Sequence, residues 1–186
     1  MAKSKLVVNF YAKGLYQHPV FFRPGRNRHS QEGPVQELAA LLQRVKENEE
    51  ILKKFHLLET KILAILNLKD FFENLLTEMI TIFQVPYVWV TVIKGSKLAH
   101  MVNSMAHSDI VRQRMNFIDP AAFDACFSSR PLPLLVNTDL APYREFFPGR
   151  KVYEVQSMAL APVYIDGETV GSLNQGDRTR TRFEAG

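Results

Sequence analysis

Residues 157–183 read SMALAPVYIDGETVGSLNQGDRTRTRF, and the fold of the rest of the chain is inferred outward from this stretch. Two apolar runs flank the dipeptide Asp166-Gly167. A type I′ turn needs positive φ at both central residues, which Asp-Gly adopts readily. The stretch therefore predicts a β-hairpin, followed by a turn at Gly176-Asp177 and an arginine-rich loop.

Upstream, residues 35–66 contain neither Gly nor Pro and are mostly good helix formers, so we expect one long helix. Apolar side chains recur in it at alternating steps of three and four, as at the a and d positions of a coiled coil. Asn48 is polar within this stripe and favours a parallel dimer, because a buried Asn fixes register at a cost in stability. The predicted dimer-helix residues are Leu38, Leu41, Val45, Asn48, Leu52, Phe55 and Ile62.

A second apolar stripe on the same helix comprises Ile51, Phe55, Leu58, Ile62 and Ile65. It predicts two partners for the C-terminal half of the helix, the body of its own domain and a second chain. The alternative is a single amphipathic helix that lies on its own domain, with Asn48 at the edge of the contact.

The next segments alternate between helix and strand signals. Asn67 is a predicted N-cap for a helix over residues 68–84, with Asp70 at the position where a carboxylate helps the free amides. Residues 87–93, YVWVTVI, are apolar almost without a break, which indicates a central strand covered on both faces. Residues 98–103 are expected to be its antiparallel partner.

Residues 106–147 carry shorter signals. Ser108 is expected to cap a short helix, and Asp119-Pro120 to begin another that runs to about residue 128. A short strand is expected over residues 134–137 and a last helical turn over 143–147. The order predicts an α/β (α+β) fold, with a mostly antiparallel sheet and flanking helices.

The features of residues 157–183 follow a definite order: a small-residue strand, a Pro, a short turn, a Gly-containing strand, a polar loop and an Arg-Phe pair. This order resembles the closing half of GAF domains. Within that superfamily the chain is most similar to the uncharacterised bacterial GAF-like family numbered 484 among the domains of unknown function. Residues 15–22, LYQHPVFF, resemble a segment near the start of that family's proteins.

The sequence predicts three parts: a basic tail over residues 1–33 that ends at the pair Gly33-Pro34, a long dimerisation helix over 34–66, and a domain over 67–186 that the resemblance identifies as GAF-like. GAF domains usually end in a helix after the last strand, and the sequence stops at Gly186 without one. Either the form is truncated or the N-terminal helix supplies that packing.

In GAF domains the sheet carries its ligand on one face, under the helical connection. The resemblance implies a small-molecule pocket there, with Ser157 and Ala159 of the first hairpin strand on the pocket side. The alternative is that these side chains simply fill a core. The candidate pocket residues are Trp89, Phe117, Phe123, Phe127, Tyr143, Phe146, Ser157, Ala159 and Asn174.

The cysteine content and the lengths of the apolar runs indicate the compartment in which the protein is expected. The single cysteine, Cys126, excludes an internal disulfide framework and a cysteine-cluster zinc site. The sequence contains no apolar run near the roughly 20 residues that span a bilayer and no secretory signal pattern. We therefore expect a cytoplasmic protein that does not enter the membrane.

The net charge of +4 is distributed unevenly. Residues 1–30 hold six Lys or Arg and no acidic residue, and the other 156 residues hold 17 basic and 19 acidic groups. The basicity therefore belongs to the tail, which is expected to be solvated. A nucleic-acid partner would depend on this tail alone and is not expected.

No motif in the sequence indicates catalysis. Cys126 is expected to be a small core residue, the histidines have no ligand-like spacing, and no phosphate-binding glycine loop occurs. No metal or enzymatic activity is expected. Arg178, Arg180 and Arg182 form a basic loop for which solvation is the expectation and an anionic ligand the alternative.

Three functions are consistent with these patterns. The first is a non-enzymatic sensory module that binds a small molecule, dimerises and relays ligand occupancy through its N-terminal helix. The second is a dimeric scaffold or adaptor for another protein, with its pocket filled by side chains. The third, a redox or catalytic GAF domain, requires an exposed and reactive Cys126.

Overall fold

The computed structural model describes residues 34–63, 67–103, 105, 108–127, 132–150 and 154–183. The predictions for the tail over residues 1–33 lie outside the described residues, as does the side chain of Ile62.

The described residues form an α+β fold around one five-stranded sheet in the order β2-β1-β5-β4-β3. β1 pairs with β2 in parallel, and the other three strand pairs are antiparallel. The strands are β1 (Tyr87–Ile93), β2 (Met115–Ile118), β3 (Leu134–Val136), β4 (Ser157–Ile165) and β5 (Glu168–Asp177).

Helices cover both faces of this sheet. They are α1 (Pro34–Leu63), α2 (Leu68–Phe83), α3 (Lys97–Asn103), α4 (Asp109–Arg114), α5 (Pro120–Phe127) and two 3₁₀ helices (Ala141–Phe146 and Pro148–Arg150). The C-terminal half of α1 and helices α2 to α4 contribute to the core on one face. α5 and the first 3₁₀ helix contribute to the core on the other.

The predicted hairpin is confirmed. β4 and β5 are joined by Asp166 at φ 51° and Gly167 at φ 84°, so both central residues have the positive φ that a type I′ turn requires. β5 is longer than the sequence indicated, and the predicted turn at Gly176-Asp177 is wrong. Both residues continue the strand, because Gly176 pairs with Tyr87 of β1 and lies beneath the ring of Trp89.

The central strand is also confirmed. β1 lies between β2 and β5, and every residue from Val88 to Ile93 is buried. Val88, Val90 and Val92 face α2, while Trp89 and Ile93 face the 3₁₀ helices. This alternation explains the continuous apolar run, since each face of the strand meets its own helical layer.

The predicted partner of the central strand is wrong. Residues 98–103 lie in α3, where Leu98, Ala99 and Val102 are buried at helical spacing and the Ser96 hydroxyl accepts a hydrogen bond from the Ala99 amide. The position beside β1 is taken instead by β2, which pairs with it in parallel.

The local start signals are confirmed at two helices. The Asn67 side chain accepts a hydrogen bond of 2.8 Å from the Asp70 amide at the start of α2. The Ser108 hydroxyl accepts one of 3.3 Å from the Val111 amide at the start of α4. The short strand, the helix beginning at Pro120 and the helical turn before Phe147 are also present.

α1 has two different halves. Phe55 and Leu58 are buried against the domain, and the Phe55 ring lies 4.9 Å from that of Phe83 at the end of α2. Lys61 forms an ion pair of 2.7 Å with Glu78. The predicted dimer residue Phe55 is therefore part of the domain's own core, because the second apolar stripe docks on α2.

Replacing Gly171 should be far more destabilising than replacing the turn residue Gly167. A Cβ at position 171 would lie 2.1 Å from the Thr91 carbonyl oxygen, so the β1–β5 pairing must shift. We expect Gly171→Ala to cost about 3 kcal/mol or more of unfolding free energy. Gly167→Ala meets open space and should cost only about 1–2 kcal/mol for its left-handed conformation.

Urea denaturation of both variants against the wild type measures this difference. Equal losses in the two variants would contradict the close approach of β5 to β1 at Gly171.

Candidate functional site

A chain of buried hydrogen bonds joins the sheet to the first 3₁₀ helix. The Asn174 amide donates to the Thr91 hydroxyl over 2.8 Å, and that hydroxyl donates to the Phe146 carbonyl oxygen over 2.9 Å. The Trp89 indole donates to the same carbonyl over 2.7 Å. Two neighbouring strands therefore hold the main chain of the 3₁₀ helix above the sheet.

Aromatic side chains surround this polar chain. The Trp89 and Phe147 rings stack with centroids 4.9 Å apart, and those of Phe123 and Phe127 stack at 4.6 Å. Phe146 lies 5.6 Å from Phe123 and completes the layer. Such rings exclude water, so each hydrogen bond beneath them acts in a low dielectric.

Two polar atoms on the same face lack partners among the described residues. The Ser172 hydroxyl and the Asn174 side-chain oxygen are fully buried and accept or donate no hydrogen bond there. Ser172 pairs with Thr91 across the sheet and Asn174 pairs with Trp89, so both belong to the polar chain's immediate surroundings. An unpaired buried polar group costs about 1–3 kcal/mol. This cost makes the face between β1 and β5 the candidate site.

Most of the predicted pocket residues meet on this face. Trp89, Phe123, Phe127 and Phe146 are buried there, Tyr143 is partly buried, and Asn174 belongs to the polar chain. They are packed against one another, which matches the alternative that they fill a core.

Ala159 and Ser157 are not on this face, contrary to the prediction. Ala159 belongs to the core under α2, whereas Met158 and Leu160 face the aromatic layer. Strand residues alternate between faces, so Ser157 lies on the side of Ala159. Its hydroxyl donates to the Thr179 carbonyl over 2.6 Å and fixes the loop after β5.

Phe117, another predicted pocket residue, lies at the edge of the sheet in β2 and is 39% exposed. It lines a groove of about 650 Å³ between β2 and the 3₁₀ helices. We call this the edge groove; its lining is Lys94, Asn116, Phe117, Ile118, Asp119, Arg144, Glu145, Phe147 and Gly149. Lys94 and Asp119 pair at 3.0 Å, and the Asn116 amide donates to the Glu145 carbonyl.

The arginine-rich loop is largely bound to the domain. Arg178 donates to the Tyr87 hydroxyl over 3.0 Å and lies over its ring. Arg182 donates to the Phe83 carbonyl over 2.5 Å at the end of α2 and lies 3.6 Å from the Asp177 carboxylate. Two of the three arginines thus fasten the loop rather than form a ready anion site.

Cys126 is half-buried, and its thiol lies 3.8 Å from the Pro142 carbonyl oxygen. Burial and the nearby Glu145 carboxylate raise the pKa of this thiol above its ordinary value. Burial, with Cys126 and Asp139 nearby, likewise raises the pKa of Tyr143. A thiol with a raised pKa is mostly protonated at neutral pH and is a poor nucleophile.

Sequence reasoning missed Thr91 and Ser172. Thr91 is the only non-aromatic residue with a polar side chain in YVWVTVI, and Ser172 and Asn174 lie two apart in the strand that pairs with it. A buried polar residue facing an alternating polar pair on the next strand is the signal that could have located the site.

Within the described part of the chain, no three His, Cys, Asp or Glu residues are grouped closely enough to hold a metal ion. None of the helices in that part is both long and apolar enough to cross a bilayer. No known family model matches the sequence, and no curated protein was found to be similar to it.

Thr91→Val should destabilise the protein by about 1–3 kcal/mol, because it removes the acceptor of the Asn174 amide without changing the side-chain volume. Thr91→Ser keeps the hydroxyl and loses only one methyl group, so it should cost less than Thr91→Val, at most about 1 kcal/mol. Urea denaturation measures both. A Thr91→Val protein as stable as Thr91→Ser would contradict the role of the polar chain.

Alkylation of Cys126 should be slow at pH 7.5 and should reach half its maximal rate at a pH above that of a free thiol, because a raised pKa lowers the thiolate fraction. Glu145→Gln removes the nearby carboxylate and should shift this midpoint to lower pH. Iodoacetamide kinetics between pH 7 and 10 measure both. Rapid reaction at pH 7.5 would support the catalytic alternative instead.

Proposed function

We propose that this chain is a GAF-like sensory module that binds a small molecule and works as a homodimer without catalytic activity. The ligand would lie between the sheet and the first 3₁₀ helix. Its occupancy would be relayed to the N-terminal helix α1. The order of features in residues 157–183, which resembles the closing half of GAF domains, supports the GAF-like part of this proposal.

The observation that carries the proposal is the pair of unpartnered atoms at Ser172 and Asn174. The Asn174 oxygen is an acceptor, so a ligand must offer a hydrogen-bond donor; the Ser172 hydroxyl takes either role. An amino group, as in an amino-acid-like metabolite or a nucleobase, has the required chemistry. The aromatic layer above these atoms provides the apolar lining that such sites commonly have.

The position of β1 provides a route for the relay. Trp89 and Thr91 face the candidate site, whereas Val88, Val90 and Val92 on the same strand belong to the core that includes α2. α2 in turn contacts α1 through the Phe83 and Phe55 rings. Because packed layers shift between discrete arrangements, a change at β1 can reach α1 through this contact.

A second candidate, a dimeric adaptor without a ligand, is favoured by two observations. Trp89, Phe123 and Phe146 are at most 2% exposed and fill the face that a ligand would use. Among the described residues, no further strand pairs with the outer edge of β2, which borders the edge groove. The Ile118 carbonyl accepts from the Lys94 amide and so points toward β1, which directs the backbone groups of Phe117 away from it. A partner strand could pair there.

The melting temperature before and after complete unfolding distinguishes the two candidates. Purified protein would be unfolded, dialysed to remove small molecules and refolded, and the small-molecule fraction would be kept. A sensory module that retains its ligand should melt at lower temperature after this treatment and recover when the fraction is returned. An adaptor should melt at the same temperature throughout.

Ser172→Ala is the matched variant. If a ligand uses the hydroxyl, the variant should gain less from the returned fraction than the wild type. If the site is empty, removal of an unpaired buried hydroxyl should leave the protein equally stable or slightly more stable. A wild type that never changes, together with an unharmed Ser172→Ala, would refute ligand binding at this face.

A further inference from the structure

The N-terminal half of α1 presents an apolar stripe that is exposed in the described part of the chain. Leu38 and Leu41 are each 56% exposed, Val45 is 47% exposed and Leu52 is 50% exposed. The stripe stops at Phe55, which is buried against Phe83. The a and d spacing therefore runs across two different surfaces. From Phe55 onward it packs on the chain's own domain, whereas the apolar side chains between residues 38 and 52 remain exposed and can contact a partner.

Charged residues flank this stripe in a specific arrangement. With Leu38, Val45 and Leu52 at a positions, Arg44 lies at g and Glu49 at the following e. Among the described residues neither forms an ion pair or hydrogen bond within its own chain. Elsewhere on the helix, Glu50 forms an ion pair with Lys53 and the Gln43 amide donates a hydrogen bond to the Glu47 carboxylate.

We propose that residues 38–52 form a parallel, in-register coiled coil with a second copy of this chain. In that arrangement a g residue of one helix faces the e residue five positions later on the other. Arg44 of each protomer then meets Glu49 of the partner subunit, which gives two symmetric ion pairs. This inference rests on the dimeric part of the proposed function and specifies its geometry.

The position of Asn48 agrees with the same alignment. Asn48 is the one polar residue in the stripe between Leu38 and Leu52, and it is exposed in the single chain. Asn48 lies at a d position of this heptad, and in a parallel, in-register pair its two copies share one layer and can hydrogen-bond to each other. Any shift along the axis would place Asn48 against an apolar residue and leave its amide unpaired.

The short length of the seam sets the strength of the dimer. Residues 38–52 make only about four helical turns, because from Phe55 onward the helix packs on its own domain. The dimer is therefore reversible and depends on concentration. A reversible dimer is consistent with the proposed function, in which ligand binding would change the fraction of protein that is dimeric.

Charge reversal tests this arrangement. Arg44→Glu and Glu49→Arg each turn two attractive contacts into repulsive ones, and each should raise the dimer dissociation constant about tenfold. The double variant restores attraction with the signs exchanged and should return to near the wild-type value. Lys46→Glu is the matched control, because position 46 is an outward b position and its reversal changes the net charge equally. Sedimentation velocity over a concentration series measures all five proteins.

Weaker single variants with a restored double variant and an unchanged Lys46→Glu control support the proposal. Single variants that resemble the wild type, or a double variant that stays weak, would overturn the parallel register. In an antiparallel pair g positions face g positions and e positions face e positions, so Arg44 and Glu49 would not meet and the double variant would give no recovery. A wild type that remains monomeric at all concentrations would overturn the interface altogether.

Two further measurements on Leu52→Asp test the dimer and ligand binding separately. Leu52→Asp should abolish the dimer and leave the circular dichroism spectrum of the domain unchanged, since Leu52 is half exposed in the single chain. A dimeric Leu52→Asp protein would overturn the proposal. Comparing melting temperatures of this monomer before and after dialysis of the unfolded chain tests the ligand proposal separately from the dimer.

Discussion

The structure depends on the need to cover both faces of one strand. β1 is buried from Val88 to Ile93, so it can exist only between two helical layers. One layer is α2 with the end of α1, and the other is the aromatic connection held by the Phe146 carbonyl. The same strand therefore connects the candidate site on one face with α1, the proposed dimer helix, on the other.

Whether the face between β1 and β5 binds a ligand or is simply a packed core depends on a free-energy difference of a few kcal/mol. The aromatic layer gains from burial, and two unpaired polar atoms beneath it cost about 1–3 kcal/mol each. Folded domains have only about 5–15 kcal/mol of net stability, so such a cost is substantial. A hydrogen-bonding small molecule would remove it, and this is why Ser172 and Asn174 carry more weight than the aromatic residues around them.

Elements with strong local signals could be predicted from the sequence. The Asp166-Gly167 hairpin, the apolar strand β1 and the caps at Asn67 and Ser108 each follow from a few adjacent residues. The partner of β1 could not, because β2 has four residues and its parallel pairing is nonlocal. The faces of Ser157 and Ala159 depend on register, which a one-residue shift inverts. The polar chain depends on a carbonyl 55 residues from Thr91.

Native mass spectrometry of the full chain, followed by denaturation of the same sample, tests the central claim most directly. It reads the oligomeric state and any retained small molecule together. The account predicts a dimer that carries a reproducible extra mass, released when the protein unfolds. A monomer without extra mass at every concentration would contradict it, because neither the unpaired atoms under the aromatic layer nor the exposed stripe of α1 would then have a partner.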